Sequence, residues 1–203
     1  PGGLLTALYL SRFARGRTGS FLRSGVELLA GIPSVVYGFF GLVIIVPFVR
    51  LLGPGTGLSV LAASLILGIM ILPTVITVAQ SALDAVPARY YEGALALGVD
   101  HEHAVFKVVA PAAASGIMAA IVLGLGRAIG ETMAVVMVAG NMPIIPDSLL
   151  SGVRTMTANI VLEMGYAADL HREALIATGV VLFVFILLIT MLLNVIRKRG
   201  EAR

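Results

Sequence analysis

The chain of 203 residues is 59% hydrophobic and only 12% charged, with a formal net charge of +3. Soluble domains carry about 25% charged residues, so this composition excludes an ordinary soluble domain, and the absence of cysteine excludes disulfides, thiol catalysis and thiolate-bound metals. Several apolar runs approach the roughly 20 residues that a helix needs to cross a bilayer, whereas the alternating segments of about ten residues typical of a membrane β-barrel are missing. The predicted fold is all-α, a polytopic transmembrane helical bundle.

In chain order, apolar runs alternate with more polar segments. Residues 1–10 read as the end of a span, and we expect that N-terminal spans of the protein are missing from this sequence. The next segment, 12–23, is predicted to be a basic cytoplasmic loop; its arginines are Arg12, Arg15, Arg17 and Arg23. Prolines inside the first two of the remaining spans predict a bend or break; they are Pro33, Pro47 and Pro73. Those remaining spans are predicted at 29–52, 58–82, 111–139 and 174–196.

The distribution of basic residues sets the expected orientation, because cytoplasmic loops are enriched in Lys and Arg. The segment 84–110 and the tail 197–203, with Arg197, Lys198, Arg199 and Arg203, fall on the same side as the basic loop. Turn 53–57 and the long connection 140–173, which contains a predicted short helix near 154–164, fall on the opposite side. We therefore expect a multi-pass membrane protein whose C-terminus and segment 84–110 are cytoplasmic.

The segment 84–111 predicts a helical hairpin outside the bilayer. Pro87 suits the first turn of a helix, and Gly98 suits the left-handed position just past its end. Asp100 can cap a second short helix, and Pro111 then opens the next span. The hairpin has more apolar side chains than it can bury by itself, so some of them are expected to dock on another protein. These side chains are Tyr90, Tyr91, Leu95, Leu97, Val105 and Phe106.

The spacing of five residues in this hairpin resembles the EAA loop of ABC importer permeases, which have the MetI-like fold. Glu92, Gly93 and Ala94 are followed after three residues by Gly98 and, thirteen positions further, by Pro111. The chain departs from the family pattern at Gly93, Val108 and Ala110. The resemblance implies that the hairpin sits in a groove of an ATPase subunit and transmits ATP-driven closure, with Glu92 and Gly98 in central roles. The alternative is a cytoplasmic hairpin without a partner.

Two weaker patterns are rejected. His101 and His103 lack the i, i+4 spacing with which two histidines on one helix face bind zinc. The sequence "GLGRAIG" at 124–130 lacks the spacing of a nucleotide-binding loop, and no strand precedes it. We expect no metal and no cofactor on this chain, with ATP bound by a partner subunit.

Arg127 and Glu131 stand inside the predicted span 111–139. An arginine at the centre of a transmembrane helix costs about 2.5–3.5 kcal/mol on insertion scales, so such a residue faces the protein interior or a hydrated path. One interpretation is structural, since Gly126 and Gly130 form a small-xxx-small pattern that packs helices together. The other is an anion path, because a guanidinium matches phosphate oxygens with a fixed fork of donors. Glu131 would compensate the arginine, or accept a hydrogen from a protonated phosphate oxygen.

Three further stretches are similar to the PstC-type permeases of the bacterial phosphate-specific transport system. They are "GIPSVVYGFFGL" at 31–42, "GRAIGETMAVVMVAGN" at 126–141 and "SLLSGVRTMTANI" at 148–160. The resemblance implies a permease subunit, not itself an enzyme, that carries inorganic phosphate across the inner membrane. It also implies a heterodimer with a PstA-type permease subunit, two PstB-type ATPase subunits and a phosphate-binding protein on the far side, with no nucleic-acid partner. The alternatives are a permease for another oxyanion such as molybdate or sulfate, a channel or a secondary carrier.

Overall fold

The computed structural model describes residues 1–14 and 16–201, with 196–201 described as backbone only. These residues form helices joined by turns, without a named strand. An isolated parallel bridge joins Gly140 to Val153. The predicted all-α class is confirmed, while Arg15 of the basic segment and Arg203 of the tail lie outside the described residues.

The chain divides into two compact units, each with a hydrophobic core of its own. Unit 1 comprises Pro1–Gly31, Leu72–Leu125 and Thr190–Arg203. Unit 2 comprises Ile32–Ile71 and Gly126–Ile189.

Unit 1 begins with two helices. Helix α1 (Gly2–Leu8) is prolonged by a π-helical turn, Tyr9–Phe13, and helix α2 is Gly16–Gly31. The prediction of a loop at 12–23 is therefore wrong for most of that segment. Its arginines are good helix formers, and one of them ties the two helices together, because Arg23 Nη2 donates to Leu10 O at 2.9 Å. Basic residues indicate the side of a membrane but do not stop a helix.

The rest of unit 1 is built from the end of helix α5 (Val60–Asp84), the hairpin and the start of helix α9. The hairpin contains helices α6 (Ala88–Ala96), α7 (His101–Ala104) and α8 (Ala110–Ala112), with a π-helical turn, Val105–Val109, between the last two. Helix α9 is Ala114–Gly130. The buried core joins these elements to α1 and includes Leu10, Ile76, Ala79, Leu83, Val105, Val109 and Ala120.

Helices α5 and α9 approach each other closely within unit 1. A Cβ added at Gly116 would lie 2.3 Å from the Cβ of Ala82. The glycine is therefore required by the packing distance between the two helices, since real Cβ atoms do not come so close without a shift of the backbone.

Unit 2 begins with a helix that follows a break at Pro33, whose backbone is extended. Helix α3 (Ser34–Phe40) continues through a π-helical turn, Gly41–Ile45, into helix α4 (Val46–Arg50). The break that the sequence predicts at the start of this span is confirmed. Pro47 is accommodated in the first turn of α4, directly after the π-helical turn, where a helix tolerates a missing N–H donor.

Three further helices follow in chain order, the last of which begins in unit 2 and ends in unit 1. They are α10 (Met133–Val138), α11 (Met156–Glu163) and α12 (Asp169–Glu201). The predicted short helix near 154–164 and the predicted last span 174–196 are thereby confirmed, both with shifted ends. Core residues from α4, α5 and α10 pack together; they are Val46, Val49, Ala62, Ala63, Val135, Val138 and Ala139.

The prediction of one span over 111–139 is wrong. The helices His101–Ala112 and Ala114–Gly130 meet at a bend of 68°, so Pro111 lies inside a continuing helix and does not open a span. A second interruption follows α9, because Glu131 and Thr132 are not helical and α10 starts only at Met133. Hydropathy alone does not reveal the second interruption, since the residues of α9 before it and of α10 after it are both mainly apolar.

In the described part of the chain, two helices are long and apolar enough to cross a membrane, namely Val60–Asp84 and the Asp169–Val195 part of α12. The number rises to four if each of two broken pairs counts as one span. Those pairs are Gly16–Gly31 with Ser34–Arg50, and His101–Ala112 with Ala114–Gly130. The two unbroken helices correspond to the predicted spans 58–82 and 174–196, whereas the broken pairs only overlap the predicted spans 29–52 and 111–139.

Candidate functional site

Arg127 lies in the last turn of α9, and its side chain is exposed. Its charge acts on the hydroxyl group of Tyr37, a side chain of α3 that is only 7% exposed. The guanidinium is therefore near the packed interior of unit 2 without being sealed in a dry helix seam. It remains accessible to an anion or to another subunit.

The two glycines around this arginine make no close packing contact within the chain. A Cβ added at Gly126 or Gly130 would meet no atom within 4 Å. The small-xxx-small interpretation therefore finds no partner helix in the described part of the chain. These two positions leave backbone open for close approach by something outside it.

Glu131 lies just beyond the end of α9 and is half-buried. We predicted it one helical turn after Arg127 on a continuous helix, which is wrong, because the helix stops at Gly130. Oε1 of Glu131 instead accepts a hydrogen bond from the backbone N–H of Ala134 at 3.1 Å. The carboxylate thereby satisfies a donor that the start of α10 would otherwise leave without a helical partner.

A cavity of about 230 Å³ adjoins Glu131 in unit 2. Three hydroxyl groups, of Ser64, Thr155 and Thr157, line it together with the carboxylate. The remaining lining is apolar and consists of Val60, Ala63, Leu67, Ala128, Ile129, Val135 and Val153. A small cavity with a few convergent polar groups is the usual form of a site for a small ligand, and here Glu131 is its charged member.

A second polar cluster, centred on Glu163, escaped the sequence reasoning. Arg154 Nη1 donates to Glu163 Oε1 at 2.7 Å, and the two side chains are 22% and 18% exposed. The Tyr166 hydroxyl donates to Glu163 Oε2, and His171 Nε2 lies 3.7 Å from that oxygen. The Tyr166 hydroxyl, followed by the Arg154 guanidinium, lowers the pKa of Glu163 below its ordinary value. In the sequence, Arg154 and Glu163 are recognisable only as charged residues of the connection 140–173.

The hairpin has the geometry that its sequence predicts at the turn. Helix α6 ends at Ala96, and Gly98 has a φ of +83°. Asp100 caps the next helix by accepting from the backbone N–H of His103 at 3.3 Å. Tyr91 Oη and His101 Nδ1 are hydrogen-bonded at 2.8 Å, which ties the two helices of the hairpin together.

The base of the hairpin is attached to the end of α1. Arg12 Nη2 donates to Leu83 O at 2.6 Å, and the Ser11 hydroxyl donates to Asp84. The Phe13 ring packs edge-on against His101, with 4.8 Å between the ring centroids. Contacts on both sides of the hairpin therefore hold it in place within unit 1.

The five residues of the EAA-like pattern are distributed over this hairpin. Glu92, Gly93, Gly98 and Pro111 are exposed, while Ala94 is buried. Of the six apolar residues expected to dock on a partner, four remain exposed, namely Tyr90, Leu95, Leu97 and Phe106. The other two lie within unit 1, since Val105 is fully buried in its core and Tyr91 packs against that core. The expectation that some of the six dock on a partner therefore concerns the four exposed ones.

The two histidines of the hairpin are engaged with protein groups. His101 is bonded to Tyr91, and His103 Nδ1 lies 2.6 Å from Asp100 Oδ1. Within residues 1–14 and 16–201, no group of three or more His, Cys, Asp or Glu side chains is placed to hold a metal ion.

Comparisons with known proteins identify the family. The model of the family "Binding-protein-dependent transport system inner membrane component" matches residues 1–201. A probable ABC transporter permease protein, YqgH of Bacillus subtilis, is 38% identical over 99% of this chain and 66% of its own length. The phosphate transport system permease protein PstC of Mesorhizobium japonicum is 34% identical, over 100% of this chain and 68% of its own length. The chain thus spans about two thirds of the length of these relatives.

The fold has a solved counterpart. A crystal structure described as an amino acid ABC transporter with histidines matches 97% of this chain and 85% of its own with a TM-score of 0.59, at 19% sequence identity. At this identity the likeness concerns the fold alone. The predicted resemblance to ABC importer permeases is confirmed, and the chain belongs to the family of binding-protein-dependent transport system inner membrane components.

Proposed function

We propose that this chain is the transmembrane permease subunit of an ATP-driven importer that carries inorganic phosphate across the cytoplasmic membrane. The observation that carries the proposal is the accessible guanidinium of Arg127, held four positions before the half-buried carboxylate of Glu131. Relatives that cover the whole chain and are named as phosphate transport permeases support phosphate as the substrate. As a component of a binding-protein-dependent system, the chain works with an ATPase and a substrate-binding protein and is not itself the enzyme.

Arg127 is the residue that attracts the anion. A guanidinium stays charged at any physiological pH and offers paired N–H donors to two oxygens of a tetrahedral anion. The side chain is exposed, and the open backbone at Gly126 and Gly130 leaves room beside it. In this proposal a dehydrating phosphate exchanges water for the guanidinium as it passes.

Glu131 provides selectivity. At neutral pH phosphate carries at least one hydrogen, which a carboxylate can accept, whereas sulfate carries none and is repelled by the same carboxylate. Oε1 of Glu131 is bonded to the N–H of Ala134, which fixes the carboxylate beside the cavity that it lines. The hydroxyl groups of Ser64 and Thr155 supply neutral polar contacts in that cavity.

The hairpin is the proposed contact with the ATPase. Four of its apolar side chains remain exposed, and Leu97 among them is 86% exposed. Exposed apolar patches on an otherwise folded surface mark interaction sites. Glu92 and Gly98, both exposed, would stand in the interface, and Ala94 and Pro111 would shape the helices that present it.

The complete importer would contain further subunits. By the resemblance these are a PstA-type permease subunit, two PstB-type ATPase subunits and a phosphate-binding protein outside the membrane. The hairpin and the C-terminus would face the cytoplasm, where ATP is available, and the connection 140–173 would face the binding protein.

Uptake by the reconstituted importer tests this function. The purified assembly is placed in liposomes with ATP inside, and radiolabelled phosphate uptake is followed with and without a hundredfold excess of sulfate or molybdate. We expect ATP-dependent uptake that the competing anions leave unchanged. Competition by sulfate or molybdate equal to that by unlabelled phosphate would assign another oxyanion, and uptake without ATP would indicate a channel or a secondary carrier.

A further inference from the structure

Residues 153–157, whose last two residues begin α11, form hydrogen bonds with the chain just before and just after helix α10. We call this segment the strap. At the C-terminal end of α10, the backbone N–H of Val153 donates to Ala139 O at 2.9 Å. Next to it, Arg154 Nε donates to Asn141 O at 2.9 Å. The strap is therefore fixed to the chain just past α10 by one backbone bond and one charge-assisted bond.

At the N-terminal end of α10, the strap reaches the helix break. The Thr157 hydroxyl donates to the backbone carbonyl of Glu131 at 3.1 Å. Glu131 and Thr132 are not helical. The carbonyl of Thr132 accepts the first i→i+4 bond of α10, from Val136 N–H at 2.9 Å, whereas the carbonyl of Glu131 accepts from the Thr157 hydroxyl. The hydroxyl of Thr157 therefore holds the main chain of the same residue whose carboxylate lines the cavity.

The strap is itself anchored from behind. Arg154 Nη1 donates to Glu163 Oε1 at 2.7 Å and to Asn159 Oδ1 at 3.3 Å, both on α11. Thr155 caps that helix by accepting from the N–H of Ala158 at 3.2 Å. These hydrogen bonds join the strap to α11, and they restrict the position of Thr157 next to the helix break.

We infer that Thr157 is a positioning residue for Glu131, with Arg154 securing the other end of the strap. The inference rests on the proposed function, in which Glu131 contacts the transported anion. A polar group acts on a small ligand only when it is held near its productive geometry, and a supporting hydrogen bond supplies that restraint. Without the hydroxyl of Thr157, the Glu131 carbonyl loses this hydrogen bond. The backbone of Glu131 and Thr132 then samples a wider range of positions.

The first experiment separates the hydroxyl from the shape of the side chain. Thr157→Val keeps the shape and removes the donor, whereas Thr157→Ser keeps the donor. Thr178→Val is the matched control, since the Thr178 hydroxyl donates to Ala174 O within α12. In the assembled importer we expect phosphate uptake to fall about fivefold in Thr157→Val, as for the loss of one neutral hydrogen bond, and to stay at the wild-type rate in the other two.

A second measurement does not depend on the substrate. The chain has no cysteine, so Thr132→Cys places a single thiol in the break. We expect maleimide to label this thiol about fivefold faster when Thr157→Val is added, and at an unchanged rate with Thr157→Ser. If the valine variant does not assemble, Thr157→Ala takes its place in both measurements.

The outcomes distinguish the inference from the function on which it rests. A wild-type importer that moves no phosphate, together with the predicted change in labelling, refutes the proposed function and keeps the strap as the support of the break. Unchanged labelling in Thr157→Val overturns the inference whatever the uptake. So does a Thr157→Val effect of the same size in a Glu131→Gln background, because a residue acting through Glu131 shows a non-additive double-mutant cycle.

Discussion

The contact between Gly38 on α3 and α10 gives a prediction whose size follows from the structure. A Cβ added at Gly38 would lie 2.9 Å from the Cα of Ala134 and 2.9 Å from the Sδ of Met137. The sulfur can move, but the Cα of Ala134 belongs to the backbone of a buried helix. Gly38→Ala therefore forces the two helices apart, and such overpacking costs about 1–3 kcal/mol.

The gain in helix propensity offsets part of that cost. Alanine is favoured over glycine inside a helix by about 1 kcal/mol, so the net loss of stability is about 0–2 kcal/mol, with a central value of about 1 kcal/mol. In a domain of this size 1 kcal/mol shifts the Tm by about 2–4 °C, so we expect a fall of about 2–4 °C. The measurement is thermal unfolding of the detergent-purified assembly, wild type against variant.

Gly126→Ala is the matched control. It changes another helical glycine, but its Cβ would meet no atom within 4 Å. The gain in propensity acts alone at this position, so the Tm should stay constant or rise by about 1–3 °C. A Tm for Gly38→Ala equal to or above that of the wild type, or an equal fall in both variants, would refute the packing argument.

Three further predictions concern the hairpin and the polar cluster at Glu163. Glu92→Lys should leave ATP hydrolysis in place but lower the phosphate moved per ATP, and an unchanged ratio would contradict a role in coupling. Leu97→Asp should reduce the amount of ATPase that co-purifies without lowering the Tm, because Leu97 is 86% exposed; full recovery of the ATPase would contradict docking there. The pKa of Glu163 is lowered in the folded protein, first by the Tyr166 hydroxyl and then by Arg154. The hydrogen bonds of the Glu163 carboxylate therefore stabilise the fold fully at pH values above the ordinary carboxyl pKa. This stabilisation is lost as the pH falls through the lowered pKa of the folded protein. The difference in Tm between wild type and Glu163→Gln should thus stay constant from pH 8 to about pH 5 and disappear in stronger acid. A difference that grows in acid would contradict a lowered pKa of Glu163.

The sequence predicts the hairpin turn well because its determinants are local. Gly98 can take a positive φ without a Cβ penalty, and an aspartate such as Asp100 caps a helix that starts directly after it. The two unbroken spans, 58–82 and 174–196, are predicted for the same reason, since apolar length is a property of each segment alone. Proline at position 33 breaks a helix by its own geometry.

The break at Glu131 and Thr132 depends on a partner distant in sequence. The hydroxyl of Thr157 compensates the carbonyl of Glu131 across 26 positions. No sequence pattern within residues 111–139 indicates that hydrogen bond, so hydropathy predicts one continuous span. The helix at 16–31 was missed for a different reason, because charge was taken as a sign of a loop although arginine is a good helix former.

The cluster of Arg154, Glu163, Tyr166 and His171 also lies beyond local reasoning. Arg154 and Glu163 are nine positions apart, and they meet because the guanidinium of Arg154, which precedes α11, donates to Asn159 and Glu163 on that helix. The charge of Arg127, in contrast, stands out in the sequence because an arginine within an apolar run is costly. The sequence does not predict the surroundings of Arg127. In the structure this residue lies at an exposed helix end beside Tyr37.

Phosphate uptake by an importer carrying Arg127→Gln tests the central claim most directly. Arg50→Gln serves as the control, because Arg50 is also an exposed arginine at the end of a helix in unit 2. Loss of charge-assisted hydrogen bonds to the anion should lower uptake by Arg127→Gln about tenfold or more, in an assembly that retains its subunits, while Arg50→Gln takes up phosphate at the wild-type rate. Wild-type uptake by the assembled Arg127→Gln importer would remove this arginine from the anion's path.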